Sequence, residues 1–154
     1  MMLVSIMLCR DDLFPMTDSV PRLLLVEDHA DLGEATAEFL RCMGLEVQLA
    51  STGAEALKSA AVFCPDIVLC DLNLLDMTGL EVAQVLRKNP ASKNTLFAIH
   101  TALTEVDICS FERDVPEGDV NLYLSKPLTM EKLDKLLTAF ELLRQSAKAA
   151  PSNQ

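Results

Sequence analysis

Basic residues are few in this chain. Its 154 residues include 13 Lys and Arg against 23 Asp and Glu, which gives a formal net charge of -10. A surface with this balance repels phosphate backbones and anionic lipid headgroups. The composition therefore predicts a protein that binds neither nucleic acid nor membranes.

Paired cysteines are also lacking. The five cysteines form an odd set without a CxxC motif. Cys70 lies within an apolar run, where a free thiol behaves as a small hydrophobic side chain. We interpret this pattern as typical of a reducing compartment and expect the protein to be cytoplasmic.

The apolar run at the N-terminus, "MMLVSIMLC", is not preceded by a basic region. It falls far short of the roughly 20 residues that span a bilayer, so we predict neither a signal peptide nor an anchor. We interpret residues 1–20 as an extension that is either disordered or the product of a misassigned upstream start. The alternative is a small helix or strand that packs on the domain or on a partner.

Apolar residues make up half of the chain, which is enough for one sizeable core. Beyond Pro21, short apolar runs alternate with longer segments of helical spacing, a pattern typical of βαβ units. We expect one domain over residues 21–145 and a polar tail over 146–154. Strands are predicted at 22–27, 45–50, 66–71, 95–101 and 120–125, and helices at 30–43, 53–63, 79–88, 104–113 and 129–145.

This alternation predicts an α/β fold with a doubly wound, five-stranded parallel sheet of order 2-1-3-4-5, that is, a flavodoxin-like (βα)5 architecture. Right-handed crossovers and the need to cover both sheet faces leave few other topologies. In this order the first and third strands are neighbours where the winding reverses. Ligands of open α/β sheets bind outside the carboxyl ends of strands at that point.

Charged side chains follow the strands at this edge. Glu27 and Asp28 end the first strand and Asp71 ends the third, so we expect three carboxylates to converge. Carboxylates that lie within a few ångströms of one another repel and need a positive partner. Mg²⁺ could supply it, and so could Lys126, which follows the fifth strand. Thr101 adds a hydroxyl. This set suits in-line attack on a phosphoryl group, with the central Asp71 as the nucleophile and an aspartyl phosphate as the product.

Four segments together resemble the receiver domain of two-component response regulators. They are "LLLVEDH", "DIVLCDLNLLDMTG", the Thr-Ala pair at 101–102 and "YLSKP" at 123–127. They occur in order at the ends of the first, third, fourth and fifth predicted strands. The resemblance extends over residues 22–143.

The resemblance implies that a sensor histidine kinase or a histidine phosphotransfer protein phosphorylates Asp71. It also implies that Asp28, Asp71 and the main-chain carbonyl of Asn73 hold Mg²⁺, with Glu27 acting through water. The chemistry would then be limited to the protein's own phosphorylation and dephosphorylation, so we do not expect an enzyme acting on other substrates.

By the same resemblance, Thr101 and Lys126 would hold the phosphoryl oxygens. Tyr123 would be the aromatic residue that turns inward when Thr101 moves. Pro127 occupies the family's cis-proline position, and only X-Pro bonds adopt cis at low cost.

The chain departs from the family pattern at three places. Leu75 stands where the family usually has proline, four residues after the acceptor aspartate, which leaves the path of this loop open. "DVPEGDVN", at 114–121, replaces a short Gly-Ala turn. Leu103, two residues after Thr101, is apolar beside the site and could slow the access of hydrolytic water.

Other polar and apolar residues near these motifs have simpler interpretations. We expect His29 to be an exposed first-turn residue and His100 to be a satisfied core or interface histidine. Met77 and Leu80 fit core or loop packing, and Asp76 fits a solvated position.

The leading functional hypothesis is a single-domain response regulator, a monomer or weak homodimer, that signals by docking on a downstream protein. The alternative keeps the fold without phosphorylation, as an interaction adaptor. A flavodoxin-like nucleotide binder would need a phosphate-cradling loop where this chain has "EDHAD". An aspartate-dependent phosphatase would carry a second aspartate at the position of Asn73.

Overall fold

The computed structural model describes residues 20–112 and 118–149. The predicted extension at 1–20 lies outside the described residues except for Val20. Residues 114–117 of the 114–121 segment and the end of the tail, 150–154, also lie outside them. Within the described ranges the chain forms one five-stranded sheet covered by helices on both faces.

All strand pairs are parallel, and the sheet order is β2-β1-β3-β4-β5, as predicted. The edge strand β2 alternates between exposed and half-buried residues, whereas β3 and β4 are almost wholly buried. This contrast is expected, since central parallel strands are covered on both faces. The strands are β1 (Arg22–Val26), β2 (Glu46–Ala50), β3 (Ile67–Asp71), β4 (Leu96–Thr101) and β5 (Leu122–Ser125).

The helices lie close to the predicted spans, with one difference at the C-terminal end. The last helix continues through Ala149, four residues beyond the predicted end at 145, because its Ala- and Lys-containing end has no helix breaker before Pro151. The helices are α1 (Ala30–Cys42), α2 (Gly53–Phe63), α3 (Gly79–Arg87), α4 (Glu105–Glu112) and α5 (Met130–Ala149), with a 3₁₀ turn at Pro90–Ser92.

Of the five α-helices in the described part of the chain, four begin at a threonine whose hydroxyl accepts a hydrogen bond from the backbone N–H three residues later. These bonds satisfy N–H groups that have no partner within the helix. The fifth, α1, begins at His29, whose Nδ1 accepts from Leu32 N at 3.3 Å. His29 is exposed as expected, but it is the N-cap of α1 rather than a first-turn residue. The capping threonines are Thr52, Thr78, Thr104 and Thr129.

Two apolar layers hold the helices on the sheet. One layer joins alternate strand residues such as Leu23 and Ile67 to α1 and α5. The other joins Leu24, Val68 and Phe97 to α2 and α3. Because helices cover both faces of the sheet, the polar residues that could form a site lie at the ends of the strands.

Candidate functional site

The carboxyl end of the sheet brings together the five residues predicted there. Asp71 is the last residue of β3, Thr101 is the last of β4, and Lys126 follows β5 directly. Glu27 and Asp28 follow β1 in the same way. Since β1 and β3 are hydrogen-bonded neighbours, the acidic residues meet at the point where the winding of the sheet reverses.

Lys126 lies between two carboxylates. Its Nζ donates to Glu27 Oε1 at 2.8 Å and to Asp71 Oδ2 at 3.1 Å. The exposed fractions of these side chains are 17% for Lys126, 4% for Glu27 and 13% for Asp71. Burial lowers the pKa of Lys126, but the hydrogen bond to Glu27 and the charge of Asp71 outweigh it, so the pKa is raised overall. The ammonium is therefore a fixed positive charge.

Both carboxylate oxygens of Glu27 accept hydrogen bonds. Its Oε1 accepts from Lys126, and its Oε2 accepts from His29 N at 3.2 Å. This residue is 5% exposed. The Glu27 side chain thus connects the end of β1 to Lys126, which follows β5.

Three acidic residues could together hold a metal ion. Glu27, Asp28 and Asp71 each offer a carboxylate oxygen, and these oxygens lie within 4.8 Å of one another. An octahedral Mg²⁺ with ligands at about 2.1 Å places opposite oxygens about 4.2 Å apart. The cluster is close to this size, so a small inward adjustment would suit a hard divalent cation.

The loop after β3 carries Asn73, whose carbonyl is the remaining predicted metal ligand. Asn73 N donates to Asp71 Oδ1 at 3.4 Å, and Asn73 is bridged to Thr78 in antiparallel fashion. Asn73 itself is exposed. The loop therefore folds back beside the carboxylate of Asp71.

Thr101 and Tyr123 lie on the face of the sheet that packs on α2 and α3. Thr101 is 2% exposed, and its Oγ1 accepts from Leu103 N at 3.2 Å. Tyr123 is half-buried beside Ile99, and its side chain packs on the apolar layer of that face, as does Leu103. The aromatic ring of Tyr123 is thus turned inward in this structure.

Buried groups behind the site have shifted pKa values. His100 is 3% exposed, and burial, helped by the charges of Lys126 and Lys132, lowers its pKa from 6.5 to about 4. We predicted a satisfied histidine; His100 is buried, but its Nε2 has no hydrogen-bond partner among the described residues. Burial, followed by the charges of Asp71 and Glu27, raises the pKa of the Cys70 thiol far above its usual range.

Asp76 has a structural role that sequence reasoning missed. We predicted a solvated residue, yet its Oδ1 accepts from Gly53 N and its Oδ2 from Ala54 N, both at 2.9 Å. Asp76 is exposed, as predicted, but these two hydrogen bonds were not predicted, because the partners are more than twenty residues away along the chain and no local pattern marks them. Met77 and Leu80 do pack on the apolar layer as predicted.

Among the residues described, no helix is long and apolar enough to cross a membrane. The four cysteines in this part of the chain are free. Lys126–Pro127 is a cis peptide bond, as the sequence resemblance implies.

Fold and site together define a doubly wound α/β domain with an acidic site at its switch point. The model of the response regulator receiver domain family matches residues 23–138. The chain therefore belongs to the response regulator receiver domain family, and its fold is that of a receiver domain of two-component systems.

Relatives with curated names include transcriptional regulators. The transcriptional regulatory protein PrrA of Mycobacterium leprae is 30% identical over 138 residues, which cover 88% of this chain and 56% of that protein. The cell cycle transcriptional regulator CtrA of Caulobacter vibrioides is 29% identical over 114 residues, covering 73% of this chain and 46% of that protein. The chain thus spans about half the length of these relatives.

Solved structures show the same fold. The chemotaxis response regulator CheY4 of Vibrio cholerae superposes with a TM-score of 0.68 at 27% identity, covering 79% of this chain and 99% of that chain. A CheY-like receiver domain from Methylobacillus flagellatus gives a TM-score of 0.66 at 26% identity, with the same shares covered.

Proposed function

We propose that this protein is a response regulator that accepts a phosphoryl group on Asp71 from a sensor histidine kinase or a histidine phosphotransfer protein. The observation that carries the proposal is the ion pair between Asp71 Oδ2 and Lys126 Nζ, 3.1 Å apart, at the carboxyl end of the central strand. The Asp71 side chain is mostly buried but keeps an exposed fraction of 13%. Its counter-charge is already in place.

In the proposed step, a carboxylate oxygen of Asp71 attacks the phosphorus of the donor in line with the leaving group. The new bond is a mixed anhydride between the carboxylate and the phosphoryl group. The bond from phosphorus to the donor nitrogen breaks, and its electron pair leaves with the donor imidazole. The protein's chemistry ends with hydrolysis of this anhydride, so the protein acts on no other substrate.

The residues present fit a Mg²⁺ ion. Asp28, Asp71 and the main-chain carbonyl of Asn73 would hold it, with Glu27 acting through water. When bound, Mg²⁺ would neutralise charge on the phosphoryl oxygens. Support comes from the convergence of three carboxylate oxygens within 4.8 Å and from oxygen ligands being those that Mg²⁺ prefers.

Lys126 and Thr101 would hold the phosphoryl oxygens after transfer. To do so, the Lys126 ammonium must exchange part of its contact with Glu27 and Asp71 for the new anion. The Thr101 hydroxyl, which now accepts from Leu103 N, must donate to the new anion. Movement of Thr101 would bias the position of Tyr123, two residues before Ser125, the strand partner of Thr101.

The output we propose is a protein–protein contact with a downstream target, made by a monomer or weak homodimer that binds neither nucleic acid nor membranes. The net charge of -10 supports a protein partner over nucleic acid. Free thiols in the described part of the chain suit a reducing compartment, which supports a cytoplasmic location.

The test is incubation with acetyl phosphate and Mg²⁺, followed by intact-mass measurement. One phosphate should be added to the wild-type protein and none to Asp71→Asn. Asp66→Asn is the matched control, because it removes a carboxylate just before the opposite end of the same strand, and it should react like the wild type. Absence of incorporation, or incorporation that persists in Asp71→Asn, would contradict the proposal. Mg²⁺ binding without phosphorylation would favour the adaptor.

A further inference from the structure

The loop that joins β3 to α3, residues 72–78, has no proline. Leu75 stands at the position that is proline in the family pattern, and its side chain is 86% exposed. Proline would fix one backbone dihedral and reduce the loop's freedom, whereas leucine leaves that dihedral free. Something else has to hold this loop if the Asn73 carbonyl is to keep one position.

Contacts within the loop do not anchor it to the rest of the fold. Leu74 N donates to Met77 O at 3.2 Å, and Gly79 N donates to Leu72 O at 2.7 Å. Together with the bridge between Asn73 and Thr78, these bonds close the loop on itself. Leu72 is buried in the apolar layer on the α2–α3 face and Leu74 packs against that layer, whereas Leu75 and Asp76 at the tip of the loop are exposed.

Asp76 supplies an anchor outside the loop. Both of its carboxylate oxygens accept backbone N–H groups from the first turn of α2, Gly53 N and Ala54 N, at 2.9 Å each. These N–H groups have no acceptor within the helix, and a carboxylate is favoured at a helix N-terminus. The hydrogen bonds from Ala54 and then Gly53 lower the pKa of Asp76, so the charged form is the one held.

Met77, the residue after Asp76, also contacts the start of α2. A side chain on Gly53 would collide with Met77, whose Sδ would lie 2.6 Å from the added Cβ. The absence of that side chain lets Met77 pack against the start of α2. The helix is itself fixed, because Ala56 is buried in the same apolar layer as Val26 and Cys70.

We propose that Asp76 is a positioning residue for the metal site. It fastens the β3–α3 loop to the N-terminus of α2 and so helps to fix the Asn73 carbonyl beside Asp71. This inference rests on the proposed function, since it concerns the same Mg²⁺ site. Mg²⁺ demands near-ideal ligand geometry, so a loop free to tilt binds it less well.

The test measures the Mg²⁺ dissociation constant by titration followed by amide NMR, with urea unfolding in parallel. Asp76→Ala should weaken Mg²⁺ binding about tenfold, the lower end of effects seen for groups that orient metal ligands. Asp76→Asn keeps one carbonyl-type acceptor and should be intermediate. Gly53→Ala keeps the backbone N–H that donates to Asp76 but displaces Met77, and it should weaken binding as well.

Asp66→Ala is the matched control. Asp66 Oδ2 accepts Arg22 N at 2.9 Å at the opposite edge of the sheet. Its loss should lower stability and leave Mg²⁺ affinity unchanged. With acetyl phosphate, the rate for Asp76→Ala should fall at limiting Mg²⁺ and recover at saturating Mg²⁺, which a general loss of folded protein would not do.

Two failures are distinguishable. A wild-type protein that binds no Mg²⁺ would overturn the proposed function and this inference together. A wild-type protein that binds Mg²⁺, with Asp76→Ala binding it equally well, would overturn this inference alone. The inference alone would also be overturned if Asp66→Ala weakened Mg²⁺ binding as much as Asp76→Ala does.

Discussion

Replacing Lys126 by methionine should destabilise the protein at neutral pH when Mg²⁺ is absent. The change removes the ammonium that donates to Glu27 at 2.8 Å and to Asp71 at 3.1 Å, and it leaves both carboxylates at a crowded sheet edge. Breaking a buried pair costs about 3–5 kcal/mol, and each bond to a charged group contributes about 1.5–3 kcal/mol. Because this edge is partly open to water, we expect the low end, about 3 kcal/mol.

The assay is urea unfolding followed by far-UV circular dichroism. With an m-value of about 2 kcal/mol/M, the midpoint should fall by about 1.5 M. Lys135→Met is the matched control, because it removes an exposed lysine from α5 and should change stability by less than about 0.5 kcal/mol. Added Mg²⁺ should restore much of the loss in Lys126→Met, since the cation neutralises the same carboxylates.

The pH dependence gives a second check on this reasoning. The folded pKa of Lys126 is raised above its ordinary value of 10.5, so its contribution is fully present below that value and is lost as the pH rises through the folded pKa. Lys126→Met should lack this alkaline loss. The reasoning is refuted if the variant unfolds at the wild-type urea concentration at neutral pH without Mg²⁺.

Three further perturbations follow from the same geometry. Gly79→Ala should lower stability by about 3 kcal/mol in urea unfolding, because the added Cβ would lie 2.5 Å from the main-chain oxygen of Asp71, which cannot move aside; wild-type stability would contradict this. The pKa of His100 is lowered in the folded protein, so its neutral form stabilises the fold above pH 6.5 and that contribution is lost as the pH falls to about 4. His100→Leu should therefore lose about 2–3 kcal/mol less stability than the wild type between pH 6.5 and about 4. An unchanged dependence of stability on pH would contradict this prediction. Cys70 should resist alkylation in the native state, as its thiol is buried and its pKa is raised; peptide mass mapping would refute this if Cys70 reacted as fast as the exposed cysteines. Those exposed thiols are Cys42, Cys64 and Cys109.

Local sequence patterns predicted most of the strands and helices. The unbroken apolar run at 67–70, within the predicted strand 66–71, predicted a central parallel strand. The partial alternation of 45–50 predicted the edge strand β2, because a strand covered on one face alternates in polarity and a strand covered on both faces does not. Strand order followed from connectivity and handedness. The helix ends were less exact: α5 runs past 145, since helix propensity alone does not mark where a helix stops.

The sequence by itself also determined which residues reach the site. Acidic residues after β1, an aspartate ending β3 and a lysine after β5 must meet at one edge, whatever the details of packing, because parallel strands present their carboxyl ends together. The family resemblance assigned their roles.

Only the tertiary structure decided how these groups are partnered. That Glu27 contacts Lys126, that His100 Nε2 is buried with no partner among the described residues, and that Asp76 binds the start of α2 all depend on distances between segments remote in sequence. Hydrogen bonds and ion pairs form over about 3 Å, so they are set by the packing of whole elements. Sequence patterns place residues on strands and at their ends, and packing then chooses the atoms that touch.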